Sequence, residues 1–305
     1  MSIRPIEAAC ERARPVRRPA GAALCSALVS DHGWGMGVYG AAALALGLLG
    51  LIWGDFTVGF HPVPEATPGR ALLAHACAVL FILGALGLQQ GRTRTLAGGV
   101  VGLLYLAFAL CWSRRVVAAP LMIGAWLGTA EQLLLAVGAL AVAARTGPAS
   151  RTTARVCRLA FGACEIVFGL AHFLSLPETI AMTPAWAPLG QTFWALATGA
   201  AHLVAGLALI MAFFPVVTTR LLATMFAVFG ALVWLPALLD DPGSRLAWAG
   251  NAINLALVGA ALAIGDLLGR ARPAIVSQAA APNDQDPSAG VRTPQGRAIK
   301  LRYKM

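Results

Sequence analysis

Eight long apolar runs, each close to the length needed to cross a bilayer, dominate this chain. A helix needs about 20 apolar residues to span the hydrocarbon core, and backbone groups in lipid must be hydrogen-bonded within their own segment. The sequence therefore predicts an all-α membrane protein with eight transmembrane helices. The runs cover residues 36–56, 71–88, 96–112, 117–144, 156–176, 190–213, 216–239 and 246–268.

Composition excludes the usual soluble enzymes. Only 12% of the 305 residues are charged and the mean hydropathy is +0.74, whereas soluble domains carry about 25% charged residues. The net charge of +10 does not indicate nucleic acid, because the basic residues lie in tails and short loops rather than on one face. The predicted partner is the lipid bilayer.

The distribution of basic residues predicts the topology. With a cytosolic N-terminus, all but four of the 23 Lys and Arg residues fall on the cytosolic side; the exceptions are Arg70, Arg114, Arg115 and Arg245. This bias follows the positive-inside rule and places both termini in the cytosol. The flanking segments are a basic cytosolic tail (residues 1–35), a cytosolic linker (145–155) and a disordered basic C-terminal tail (269–305).

The chain also repeats itself. The segment AWLGTAEQLLL (residues 125–135) aligns with AWAGNAINLAL (residues 247–257). We therefore predict two four-helix repeats, a diverged first repeat at 36–144 and a second at 156–268. An even number of spans in each makes the repeats parallel, related by an axis along the membrane normal.

Three ionisable residues inside the apolar runs of the second repeat are the main candidates for a site. Glu165 and His172 lie seven residues apart, on one helix face and about 10 Å from each other, and His202 lies on the next span. Such groups are costly in lipid and often functional, which favours a pocket for quinone or another small molecule, or a proton path. The alternative is an interhelical Glu–His hydrogen bond that only fixes packing. Trp194 is a fourth candidate, either in an interfacial belt or as part of an aromatic lid.

The first repeat supplies weaker candidates. His75 aligns with His202, but Leu48 stands in the position aligned with Glu165, so we expect only the second repeat to bind a ligand. Asp55, His61 and Glu65 are best explained as residues of a solvated loop.

Two polar residues complete the secondary set of Asp55, His75, Glu131 and Asn254. Glu131 and Asn254 lie within the fourth and eighth spans, where a structural role across the pseudo-axis is expected.

The sequence gives little support for a metal site or a haem site. The six cysteines show neither a CxxC motif nor a metal-type spacing with histidine, so no metal site is predicted. His75 and His202 come from aligned helices and could ligate a haem from both sides. Aligned positions need not face each other, however, and a lone membrane histidine is more often a packing partner.

The second repeat resembles the DoxX-like family of small bacterial membrane proteins. The resemblance covers most of residues 156–266 and, more weakly, 36–144, so the chain is similar to two fused four-helix units. It is carried by the patterns R-x-x-FG, FGLAHF, P-x-W-x-P and W-x-x-x-TG-x-x-H-x-x-AG. These residues are Arg158, Phe161, Gly162, Phe168, Gly169, His172, Phe173, Pro184, Trp186, Pro188, Trp194, Thr198, Gly199, His202, Ala205 and Gly206.

This resemblance implies a multi-pass protein of the bacterial inner membrane. Because related DoxD-type proteins are linked with thiosulfate oxidation by quinone, it also implies a quinone-linked redox subunit with a protein partner. The quinone pocket would lie at Glu165, His172 and His202. Two other functions stay open, a small-solute or proton-coupled transporter and a non-catalytic scaffold of a membrane complex. The sequence does not decide whether the chain is an enzyme.

Overall fold

A computed structural model describes residues 33–271, and within that range the chain forms helices, turns and loops without any strand. The helices are α1 (Trp34–Trp53), α2 (Arg70–Gln89), α3 (Arg94–Ala118), α4 (Ile123–Ala143), α5 (Arg151–Leu174), α6 (Leu176–Met182), α7 (Gln191–Ile210), α8 (Pro215–Phe229), α9 (Leu235–Asp240) and α10 (Arg245–Arg270). A 3-10 turn (Ala144–Thr146) follows α4, and a π-helical segment (Gly230–Trp234) joins α8 to α9.

Eight of these segments are long and apolar enough to cross a membrane, which confirms the predicted all-α membrane fold. They are α1, α2, α3, α4 with its 3-10 turn, α5, α7, the continuous α8–α9 segment and α10. Most of the two predicted tails, residues 1–32 and 272–305, lies outside the described residues. Of the predicted tail segments, Trp34 and Gly35 already belong to α1, and α10 continues to Arg270.

Several helix ends differ from the predicted ones. The linker predicted at 145–155 is shorter, because α5 begins at Arg151 behind the Ser150 N-cap. The third span continues past Trp112 to Ala118, and the fourth begins only at Ile123. Arginine is a good helix former whose long stem can carry its charge out of the bilayer, so Arg114 and Arg115 extend α3 beyond the apolar run.

The helix α10 is the most buried of the eight spans and packs mainly on α1, α8 and α4. Small residues allow this central position. A Cβ built on Gly259 would lie 2.5 Å from the backbone nitrogen of Tyr39, and one on Gly138 would lie 2.4 Å from the Cβ of Ala260. Such contacts require glycine, as at other close helix crossings in membranes.

The remaining helices form pairs. The most extensive contacts within each half join α1 to α2, α3 to α4, α5 to α7 and α8 to α10. Between the halves, α1 packs on α10 and α4 packs on α5. We call α1–α4 the first half and α5–α10 the second half.

The two ends of the bundle carry different connections. One end, here called the long-loop end, holds the loop 54–69 and the connector 175–190, and the other is the short-loop end. At the long-loop end, Asp55 accepts a hydrogen bond from Arg70 Nε at 2.7 Å. Burial raises the pKa of Asp55, but hydrogen bonds from Arg70 and from the Phe56 amide outweigh it and hold that pKa below its usual value.

Near the short-loop end, one buried carboxylate ties three helical segments together. Asp266 of α10 pairs with Arg145 at 3.2 Å and also with Arg220 of α8. Arg145 follows α4, so this ion cluster joins the halves. The sequence analysis did not single out Asp266. A lone carboxylate near the end of an apolar helix, with several arginines nearby in the sequence, could have indicated such an ion cluster.

Candidate functional site: a buried Glu–His pair beside an apolar cleft

The centre of the site is a hydrogen bond between α5 and α7. Glu165 Oε2 lies 2.6 Å from His202 Nδ1, and the two side chains are 0% and 2% exposed. The interhelical Glu–His bond considered for packing is therefore present. The other carboxylate oxygen, Glu165 Oε1, is buried and has no hydrogen-bond partner among the described residues.

Close helix contact makes this bond short. A Cβ built on Gly162 would lie 2.9 Å from the carbonyl oxygen of Gly206, and one on Gly206 would lie 2.8 Å from that of Gly162. Each glycine thus lets the other helix approach at backbone distance. This approach brings Glu165, one turn beyond Gly162, against His202, one turn before Gly206.

The second imidazole of the site belongs to His172. Its Nδ1 lies 2.8 Å from the Phe168 carbonyl oxygen, so Nδ1 carries the proton and Nε2 is left to bind another group. The ring centroids of His172 and His202 are 5.0 Å apart. The three ionisable groups therefore form one chain of contacts, in which His202 links Glu165 to His172.

Aromatic rings surround the two imidazoles. His202 lies 5.7 Å from Phe168, 5.9 Å from Phe226 and 6.1 Å from Phe229 between ring centroids. His172 stacks on Phe229 with an interplanar angle of 27°. Because these rings exclude water, electrostatic interactions among the three ionisable groups are stronger than they would be in solvent.

An apolar cleft of about 530 Å³ opens beside His172. Its walls come from α5, the connector 175–190, α7, α8 and the π segment. His172 is the only titratable side chain among its lining residues. These are His172, Thr179, Met182, Thr183, Pro184, Trp186, Ala187, Pro188, Trp194, Ala197, Thr198, Ala201, Met225, Val228, Phe229, Leu232, Val233 and Trp234.

The π segment shapes one wall of the cleft. Pro236 has no amide hydrogen and would clash with the carbonyl of Leu232 in a regular α-helix, and here the Leu235 amide bonds to Gly230, five residues back. Two amides of α10 support this irregular wall. Asn254 Nδ2 donates to the Phe226 carbonyl at 2.9 Å, and Asn251 Nδ2 donates to the Trp234 carbonyl at 2.7 Å.

The predicted site residues divide into two groups. Glu165, His172 and His202 meet, and Trp194 lines the cleft while its Nε1 donates to the Pro188 carbonyl at 2.6 Å. The secondary candidates lie elsewhere. Asp55 is in the ion pair at the long-loop end, exposed His75 has its Nδ1 2.7 Å from the Ala71 carbonyl oxygen, and Glu131 accepts a hydrogen bond from Gln132 at 3.1 Å.

Two positional expectations differ from the structure. Asn254 hydrogen-bonds to α8 within its own half instead of across the halves. His61, expected in a solvated loop, is 7% exposed, and its ring packs on Phe108 at 4.1 Å. Burial, with a contribution from nearby Arg245, lowers the pKa of His61 to about 3. Nothing in the loop sequence distinguishes an inserted histidine from a solvated one.

The fold and this site define a multi-pass helical membrane protein with a buried acid–imidazole pair next to a lipophilic cleft. No protein-family model, curated protein or solved structure matches the chain. The function proposed below therefore depends on the geometry of the site and on the sequence resemblance.

Proposed function

We propose that this protein binds a small lipophilic molecule in the cleft of its second half and exchanges a proton with it through His172, His202 and Glu165. The observation that carries the proposal is the composition of the cleft. Its lining is apolar and aromatic except for threonine hydroxyls and one imidazole, and that imidazole lies against the buried Glu–His pair. Ligand sites commonly combine apolar walls with a few placed polar groups in this way.

The pair can hold one exchangeable proton. With the proton between His202 Nδ1 and Glu165 Oε2, the pair is electrically neutral whether it is drawn as an ion pair or as two neutral groups. Adding or removing a proton leaves a net charge in a site that solvent does not reach, which is costly. We expect such a change only when a ligand in the cleft gives up or takes the proton through His172.

The polar chain ends at Glu165. Between Glu165 and Arg158 on α5 the sequence is LAFGAC, without a carboxylate or imidazole, and the Gly162–Gly206 contact closes the space between α5 and α7. Arg158 itself donates to the carbonyls of Leu209 and Ile210. This arrangement favours proton exchange with a bound ligand over proton passage across the membrane, so it argues against the transporter alternative.

A quinone is the ligand class that best combines these requirements. It is lipophilic, it carries carbonyl oxygens that accept a hydrogen bond from an imidazole, and its reduction takes up protons. The DoxX-like resemblance points the same way and adds a redox partner protein in the membrane as the electron donor or acceptor. In this proposal the protein is a subunit of a bacterial inner-membrane complex, with both termini in the cytosol.

The contacts of the two halves support the proposed origin from parallel repeats. The Trp112 ring packs on Gly128 of the first half as the Trp234 ring packs on Gly250 of the second. Trp126 and Trp248 also correspond. Each donates its indole N–H at 2.9 Å to the carbonyl of a proline six residues earlier, Pro120 and Pro242 respectively.

Extraction of bound molecules from gently solubilised protein tests the proposal. We expect a lipophilic redox compound in the wild type, and its loss from Glu165→Gln and from His172→Ala. The matched controls are Glu131→Gln and His75→Ala, which change the same residue types outside the cleft and should retain the compound. Retention of the same compound by the two site variants would contradict the proposal, and so would the failure of added quinone to bind the wild type saturably.

A further inference from the structure

The first half contains the counterpart of this site, and its own loop fills it. The correspondence follows from the closest helix contacts. A Cβ on Gly47 of α1 would lie 2.7 Å from the Ala78 carbonyl oxygen, as one on Gly162 meets the Gly206 carbonyl. Ile82 and Ile210 flank these two contacts in the same way, each four residues after the carbonyl.

This contact register identifies what replaces the Glu–His pair. Glu165 is three residues after Gly162, and Gly50 is three after Gly47. His202 is four residues before Gly206, and Ala74 is four before Ala78. The counterparts in space are therefore Gly50 and Ala74, rather than the Leu48 and His75 of the sequence alignment.

Two side chains of the loop 54–69, Phe56 and His61, line one small cavity together with Gly50 and Ala74. Phe56, Phe60 and His61 are all buried, and the remaining cavity beside Gly50, Ala74 and His61 is only about 30 Å³, close to the volume of one water. The first half thus closes its site with side chains of its own loop, whereas the connector 175–190 of the second half leaves its cleft open.

The phenylalanine on which the His61 ring packs has a counterpart in the second half. His61 packs on Phe108 with centroids 4.1 Å apart and an interplanar angle of 32°. Phe108 lies four residues before Trp112, and Phe229 lies five before Trp234. Because a π-helical turn adds one residue, the π segment makes Phe229 the counterpart of Phe108. Phe229 lines the open cleft.

We infer that the ligand of the second half is a planar ring compound that packs on Phe229 beside the His172 ring, as His61 packs on Phe108 in the first half. The inference rests on the proposed function, because it specifies the ligand of the same cleft. A planar ring can lie flat on a phenylalanine face, whereas a puckered ring of equal carbon number makes a poorer contact with it. An acyl chain would fill the volume without this preference.

Two probes with one carbon skeleton test the inference, 2-naphthol and decahydro-2-naphthol. Equilibrium dialysis against the full-length protein in detergent would compare them at equal free concentration. We expect 2-naphthol to bind roughly tenfold more tightly, in line with aromatic pairing. Phe229→Leu should remove the preference, and Phe193→Leu, which alters an exposed ring of α7 outside the cleft, should keep it.

The outcomes separate the two proposals. Equal binding of both probes would overturn the ring inference and leave a lipophilic site in place, whereas binding of neither would overturn the proposed function as well. The first half offers a second measurement. His61→Ala should gain thermal stability from 4-methylimidazole, which restores the missing ring, and the wild type should not. An equal response of the two proteins would contradict the assignment of His61 as a built-in occupant.

Discussion

Replacing Gly206 by alanine should separate α5 from α7 and weaken the site at its centre. The added Cβ would lie 2.8 Å from the Gly162 carbonyl oxygen, 3.0 Å from Ile166 Cδ1 and 3.1 Å from Glu165 Cβ. The nearest of these atoms belongs to the backbone and cannot rotate away. Since carbon and carbonyl oxygen in contact need about 3.3 Å, the helices must move apart by about 0.5 Å.

This displacement has two consequences of known size. Overpacking of this kind costs about 1–3 kcal/mol, and over most of that range the cost outweighs the gain of about 1 kcal/mol that alanine brings to a helix in place of glycine. A Glu165–His202 bond stretched from 2.6 Å by the same amount would no longer be a short charge-assisted hydrogen bond. We therefore expect lower stability together with weaker retention of the ligand.

The matched control is Gly99→Ala. Gly99 lies within α3 and a Cβ there would meet nothing within 4 Å, so this change should stabilise the protein by about 0.5–1 kcal/mol. The free energy of unfolding in mixed micelles, followed by tryptophan fluorescence, should then differ between the two variants by about 2 kcal/mol. Equal stability would refute the argument that the glycine contact sets the helix distance.

Two further changes test the ion pairs and the buried histidine. The pKa of His61 is lowered to about 3 in the folded protein, so protonation of this histidine favours the unfolded chain. Its contribution to folding stability is therefore fully present above about pH 6.5, the ordinary pKa of histidine. Below that pH the free energy of unfolding should fall by about 1.4 kcal/mol per pH unit. Unfolding measured at pH 6.5 and 5 should show this loss in the wild type but not in His61→Phe, and parallel slopes would contradict it. Asp266→Asn should cost about 3–5 kcal/mol, because it removes the carboxylate that pairs with two partly buried arginines. The exposed control Asp240→Asn should change the unfolding free energy by less than about 0.5 kcal/mol. Similar values for the two variants would show that the ion cluster contributes little.

Sequence alone was sufficient for the membrane class and for the number of spans. Lipid offers no partner for a free backbone group, so apolar length translates directly into helices, and the eight runs matched eight helices even though several ends shifted. The same reasoning selected Glu165, His172 and His202, because ionisable groups are rare enough in such runs to stand out.

What only the tertiary structure decided is which groups touch and where space remains. The Glu165–His202 bond depends on the rotation and spacing of two helices, which the Gly162–Gly206 contact sets across more than 40 residues of chain. The cleft depends on how a connector folds and on the π segment near Pro236. In the first half, the loop 54–69, which has the same length as the connector, buries His61 instead. The local sequence pattern reflects the free-energy cost of placing each residue in lipid. It does not determine the distances between helices, because those arise from packing between segments far apart in sequence.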